Sequence, residues 1–105
     1  MEAMKKNFSR CLAPICFLIE LYKGNQLSGY DVVKLLQSYD LKISHGTVYS
    51  QLHNMKRDGL VESTRKNNVE VYSLTADGRK IFQTFIEDRQ RPLRYIASVL
   101  DEIAS

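Results

Sequence analysis

The stretch that decides the fold is Ser44-His45-Gly46-Thr47-Val48-Tyr49-Ser50-Gln51-Leu52-His53-Asn54-Met55-Lys56-Arg57-Asp58-Gly59-Leu60. It carries its own start and stop. Ser44 is an N-cap, because its hydroxyl can accept a first-turn N–H. Ile43 before it can pack on Val48 as a hydrophobic staple. Gly59 supplies the left-handed residue that ends a helix, and Leu60 can then touch Met55 in a Schellman arrangement. Both ends agree on a helix over 45–58. At about 100° per residue, Val48, Leu52 and Met55 turn to the core. Gly46, Thr47, Ser50, His53, Asn54 and Arg57 turn mostly away. That outer face is small and polar near its start and basic near its end.

Upstream, Ser28 opens a second helix and forms a near capping box with Asp31. Val32, Leu35, Leu36 and Tyr39 are its buried stripe. A first helix is expected from about Arg10 to Tyr22, ended by Lys23-Gly24-Asn25. Pro14 fits such a helix only in the first turn. Leu12, Ile15, Cys16, Ile19 and Tyr22 form one stripe, and Phe17, Leu18 and Leu21 make the remaining surface apolar. A helix apolar nearly all round is covered on more than one side. In a chain of 105 residues, a second subunit is the expected cover. Residues 1–8 read as a mobile arm.

Downstream, strands are expected over 60–65 and 69–74, joined at Lys66-Asn67-Asn68, where Asn tolerates positive φ. Tyr72 and Leu74 share one face by the two-residue period. Thr75 caps a last helix with Asp77 in its first turn. Ile81, Phe82, Phe85 and Ile86 form one apolar stripe. Leu93, Ile96, Val99, Leu100 and Ile103 form another. Pro92 stands between them and either kinks the helix or starts a new one.

Three helices, a hairpin and a long helix make the winged-helix order: mainly α with a small β-hairpin, a winged helix-turn-helix followed by a C-terminal dimerisation helix. Its third helix is the one that enters the DNA major groove. Residues 1–8, 9–75 and 76–105 are then arm, DNA-binding domain and dimerisation helix. Thr47 and Ser50 suit phosphate or base edges, Asn54 suits adenine, and Arg57 suits guanine or phosphate. Gly46 permits close backbone approach, and the free N–H groups at the helix start, beside Ser44 and His45, favour phosphate. Arg65 and Lys66 at the hairpin can grip backbone or the minor groove. Tyr49 points sideways, as a packing residue or with its hydroxyl on phosphate. The plain alternative is a solvated polar face on a winged-helix protein-interaction module that does not bind DNA. The net charge of +3 permits nucleic-acid binding without arguing for it.

No nucleophile–base set, phosphate-binding glycine loop or metal-ligand spacing is present, so no enzyme, metal or cofactor is expected. His45 and His53 lack a carboxylate or Cys at ligand spacing. Cys11 and Cys16 read as small apolar residues in a reducing compartment. The apolar run from Cys11 to Ile19 is too short to span a bilayer and lacks a signal-cleavage pattern. The expected location is the cytoplasm.

Four motifs then occur in order: Leu27-Ser28-Gly29-Tyr30-Asp31-Val32-Val33; Gly46-Thr47-Val48-Tyr49 with Leu52-His53; Asp58-Gly59-Leu60-Val61-Glu62; and Tyr72-Ser73-Leu74-Thr75-Ala76-Asp77-Gly78. Together they resemble the PadR family of transcriptional regulators, from about residue 12 to 85. The resemblance implies a homodimer on a pseudo-palindromic operator, usually as a repressor. It implies DNA contacts from Gly46, Thr47, Tyr49 and Ser50 and from the wing residues Arg65 and Lys66. It also implies a C-terminal helix packed on the partner, including the partner's N-terminal helix. Leu12, Phe17, Leu21, Phe85, Leu93, Ile96, Val99, Leu100 and Ile103 are the expected interface. Two features depart from the family pattern: the short wing holds Asn67, Asn68 and Glu70, and Pro92 interrupts the last helix. Relatives that bind drugs stack them on an interface Trp, which this chain lacks. A phenolic or drug effector is therefore not supported, and the effector is left open.

Overall fold

Each of the first three helices ends in a residue that holds positive φ. In a computed structural model describing residues 2–104, with side chains for residue 10 and residues 12–104, helix α1 spans Glu2–Tyr22, α2 Gly29–Ser38 and α3 His45–Arg57. Gly24, Asp40 and Gly59 follow them with φ of 98°, 58° and 80°. Each turns the chain so that the next N–H reaches back to an orphan carbonyl. The pairs are Asn25 N to Glu20 O at 3.3 Å, Leu41 N to Leu36 O at 2.9 Å and Leu60 N to Met55 O at 2.9 Å. The last is the Schellman closure expected for Gly59 and Leu60.

Strands β1 (Leu27–Ser28), β2 (Val61–Lys66) and β3 (Val69–Leu74) form an antiparallel sheet in the order β1-β3-β2. Asn67 and Asn68 both have positive φ, 52° and 65°, which makes the two-residue turn that matches strand twist. The sequence reading missed β1, whose two residues pair with Tyr72 and Val71. Helix α4 (Ala76–Ala104) completes the chain.

The core gathers Ala13, Phe17 and Leu21 of α1, Val32, Val33 and Leu36 of α2, Val48 and Leu52 of α3, and Val61 and Tyr72 of the wing. Ile43 packs against it, as a staple residue should.

Four expectations need correction. The helix begins at Glu2 and not near Arg10, so residues 2–8 have helical backbone; Ala3, Met4, Lys5 and Lys6 are strong helix formers. Pro14 consequently lies inside α1, beyond its first turn. The inward face of α1 is Ala13, Phe17 and Leu21, spaced four apart, while Leu12 and Ile19 face out at 45% and 39% exposure. Phe17 and Leu21, at 0% and 2%, are spent in the chain's own core and cannot meet a partner. Lastly, of the two outcomes expected at Pro92, a kink or a new helix, the new helix does not occur. Helix α4 continues as one helix, because every residue from Glu87 to Ser98 is exposed and water can take the carbonyl the proline leaves free. Cys16 is half-buried, and burial pushes its thiol pKa up; the side chain of Cys11 lies outside the described residues.

Candidate nucleic-acid interface

The face assigned to DNA is held from below by a matched pair. Gly29 is the first residue of α2, and a Cβ there would overlap the Tyr49 ring of α3. The missing side chain lets that ring lie on the start of α2 and fixes the helix-turn-helix angle. Tyr49 is still 47% exposed. The Ser28–Asp31 capping box is complete, with both bonds at 3.0 Å. It rigidifies the first turn that receives the Tyr49 ring.

Along α3, Ser44, His45, Gly46, Tyr49, Ser50, His53, Asn54 and Arg57 are exposed, and Thr47 is half-buried. At about 100° per residue, Gly46, Ser50, His53, Asn54 and Arg57 share one face of the helix, with His45 and Tyr49 to one side of it and Thr47 to the other. Ser44 Oγ caps the helix by accepting from Thr47 N at 3.1 Å and bonds Thr47 Oγ1 at 2.8 Å. No acidic residue sits in the first turn of α3, so its positive end is not neutralised locally. Gly46 has nothing within 4 Å of a Cβ position. The chain's own packing therefore does not demand glycine there, whereas close approach of an outside group would.

Two cations that the sequence reading left out join this end. Arg10 of α1 and Lys42 of the turn line a shallow depression of about 200 Å³ with Ile43, Ser44 and Thr47. Only folding brings Arg10 beside Lys42, and no local pattern signals it.

The wing is tied to α3 through Glu70. Its Oε1 accepts from Lys56 Nζ at 3.2 Å and Ser63 Oγ at 2.7 Å. The Ser63 hydroxyl, then Lys56, hold the Glu70 carboxyl below the usual carboxylate range. Tyr72 shifts up, through burial first and the neighbouring Glu70 second. A carboxylate that looked out of place in a basic wing thus faces back onto α3. At the tip, Lys66 Nζ donates to Gln26 Oε1 at 2.5 Å and Arg65 to the Asn68 carbonyl at 3.4 Å. Both cations stay exposed. Arg57 pairs with the adjacent Asp58 at 3.2 Å, a solvent-exposed contact of little energetic weight.

The wing root is fixed to α4 as tightly. Thr75 Oγ1 donates to Gly59 O at 2.6 Å and accepts from Gly78 N at 2.8 Å. A Cβ at Gly78 would overlap the Leu60 carbonyl. Among the described residues, no three His, Cys, Asp or Glu side chains gather as metal ligands, and no helix is long and apolar enough to cross a membrane.

Comparison with known proteins agrees with this architecture. The transcriptional regulator PadR-like family model matches residues 18–84. A PadR-like transcriptional regulator from Bacillus cereus superposes with a TM-score of 0.65 at 20% identity, covering 95% of this chain and 97% of that one. A PadR family transcription regulator from Clostridium difficile gives 0.60 at 21% identity, covering 84% and 94%. MepR, a transcription regulator of the Staphylococcus aureus multidrug efflux pump MepA, gives 0.60 at 20% identity, covering 90% of this chain and 62% of its own. At these identities the likeness is one of fold. No curated protein matches the chain closely enough in sequence to count as a relative.

Proposed function

The chain belongs to the PadR-like family of transcriptional regulators, and on that premise we propose that it is a dimeric, sequence-specific DNA-binding repressor. The observation that carries the proposal is the exposed polar-to-basic face of α3 beside the wing. Thr47, Ser50, His53, Asn54 and Arg57 read or grip the major groove, with Ser44, His45, Gly46 and Tyr49 at the phosphate edge. Arg65 and Lys66 meet backbone or minor groove. Bonds to Gln26 and Asn68 hold these wing cations but do not bury them, so phosphate can compete for them.

Dimerisation is supported by what α4 leaves uncovered. Leu93, Ile96, Leu100 and Ile103 are 42%, 52%, 59% and 76% exposed and follow a 3-4-3 spacing, the seam of a coiled coil. Val99 and Phe85 flank it, half-buried. An apolar groove of about 290 Å³ between α1, the wing root and α4 is lined by Ile15, Leu18, Ile81 and Phe85 among others. With exposed Leu12 and Ile19, these surfaces suit a second copy. The dimer presents two α3 helices to a pseudo-palindromic operator, roughly 34 Å apart.

Footprinting on duplexes selected by the protein from a random pool tests this reading. The expected pattern is two protected half-sites one helical turn apart, and a single protected half-site or none would sink it. The alternative, a protein-interaction module, gains weight if a folded dimer selects no sequence.

A further inference from the structure

Pro14 lies inside α1 and has no N–H to give to the carbonyl four residues earlier, that of Arg10. That carbonyl is not left alone. Gln51 Nε2, from the middle of α3, donates to Arg10 O at 3.2 Å. Among the described residues, no other hydrogen bond joins these two helices. The other end of the same amide, Gln51 Oε1, is shut from solvent with no partner among the described residues. Burying an unpaired acceptor is unfavourable, and rotating the amide would set two oxygens face to face at Arg10. The bond to the freed carbonyl therefore fixes the amide.

We propose that Gln51 is a positioning residue for DNA recognition: it braces α3 on the one carbonyl of α1 that Pro14 makes available. The proposal rests on the DNA-binding reading above. Gln51 sits between the core residues Val48 and Leu52 and the outward Ser50 and Asn54, so its hold acts on the roll of α3 about its own axis. Roll decides which side chains reach base edges, whereas phosphate attraction hardly depends on it. The brace also runs to α1, whose exposed Leu12 and Ile19 belong to the surface offered to the second copy. The pose of each reading helix is thereby referred to the dimer scaffold.

A double-mutant cycle of Gln51→Met and Pro14→Ala tests the brace, because removing the proline ring would restore the backbone N–H and satisfy the Arg10 carbonyl within α1. Two quantities are read on the full chain. One is the preference for a selected duplex over a random duplex of equal length. The other is amide hydrogen exchange across residues 47–57. Loss of one such hydrogen bond predicts a fall in preference of about three- to tenfold for Gln51→Met, with random-duplex affinity unchanged and exchange in α3 faster by about threefold or more. In the Pro14→Ala background the same substitution should change both by less than about twofold. Equal loss in the two backgrounds, or parallel loss of selected and random binding, would overturn the proposal. Should the wild-type protein show no preference between duplexes, the DNA reading fails by itself. The exchange cycle still decides the brace, and unchanged exchange in Gln51→Met refutes it.

Discussion

Alanine at Gly78 and alanine at Gly46 are the same chemical change in two helices, and the structure assigns them opposite signs. In a helix interior the change is worth up to about 1 kcal/mol in favour of Ala. At Gly78 the new Cβ meets the Leu60 carbonyl, which is backbone and cannot swing aside. Relief requires α4 to move off the wing root. That movement strains the Thr75 N to Leu60 O bond at 3.1 Å and the Thr75 Oγ1 to Gly59 O bond at 2.6 Å. Two such bonds are worth about 1 kcal/mol each, and overpacking adds about 1–3 kcal/mol. After the propensity gain, Gly78→Ala should cost about 2–4 kcal/mol. For a domain of this size each kcal/mol moves Tm by about 4–8 °C. At Gly46 nothing lies within 4 Å of the Cβ position, so Gly46→Ala should raise stability by a few tenths to about 1 kcal/mol. Urea and thermal unfolding at one fixed protein concentration read both, since a dimer's midpoint depends on concentration. A neutral or stabilising Gly78→Ala, or two shifts of the same sign, would refute the reasoning.

Other outcomes follow from the same contacts. Gly46→Ala should weaken operator binding while stabilising the protein, because its Cβ occupies the approach that bare backbone leaves to phosphate; anisotropy titration beside the unfolding curves separates the two effects. Asp40→Gly should stabilise by up to about 1 kcal/mol, since at φ of 58° the Asp40 Cβ crowds the backbone and glycine carries no such penalty; the urea midpoint reads it. The Glu70 carboxyl is held low in the fold by Ser63 and Lys56, so its contribution is full above the ordinary carboxylate range and is lost as pH falls through its lowered folded value. Replacing Glu70 by Gln should flatten the loss of stability on acidification, visible as urea midpoints that converge with wild type at low pH.

Legibility in the sequence followed how local each signal was. Helix α3 could be read because Ser44 and Gly59 mark its ends, and both marks operate within one turn. The Asn67–Asn68 turn could be read because both residues tolerate positive φ. Helix α1 misled: with apolar residues on every face, periodicity cannot say which face is inside, and Phe17 and Leu21 were spent on the chain's own core. Strand β1 is two residues long and has no period to detect. Pro92 signals a lost N–H but not whether the helix restarts, because a solvated helix tolerates a missing bond that a buried one would not. The bonds of Glu70 and Gln51, and the meeting of Arg10 with Lys42, depend on partners brought together only by folding. No spacing rule reaches them.

The central claim is that α3 and the wing form a DNA-reading surface on a dimer. Fluorescence anisotropy on the chain's own upstream duplex, across a salt series and against a random duplex, tests it most directly. The expected result is saturable binding with a clear preference for the upstream duplex. Affinity should fall steeply with salt, with log–log slope reduced by about 1 for each lost phosphate contact. Arg57→Ala, and the pair Arg65→Ala with Lys66→Ala, should each weaken it. Binding that shows no preference over random duplex, or that ignores all three substitutions, would contradict the account.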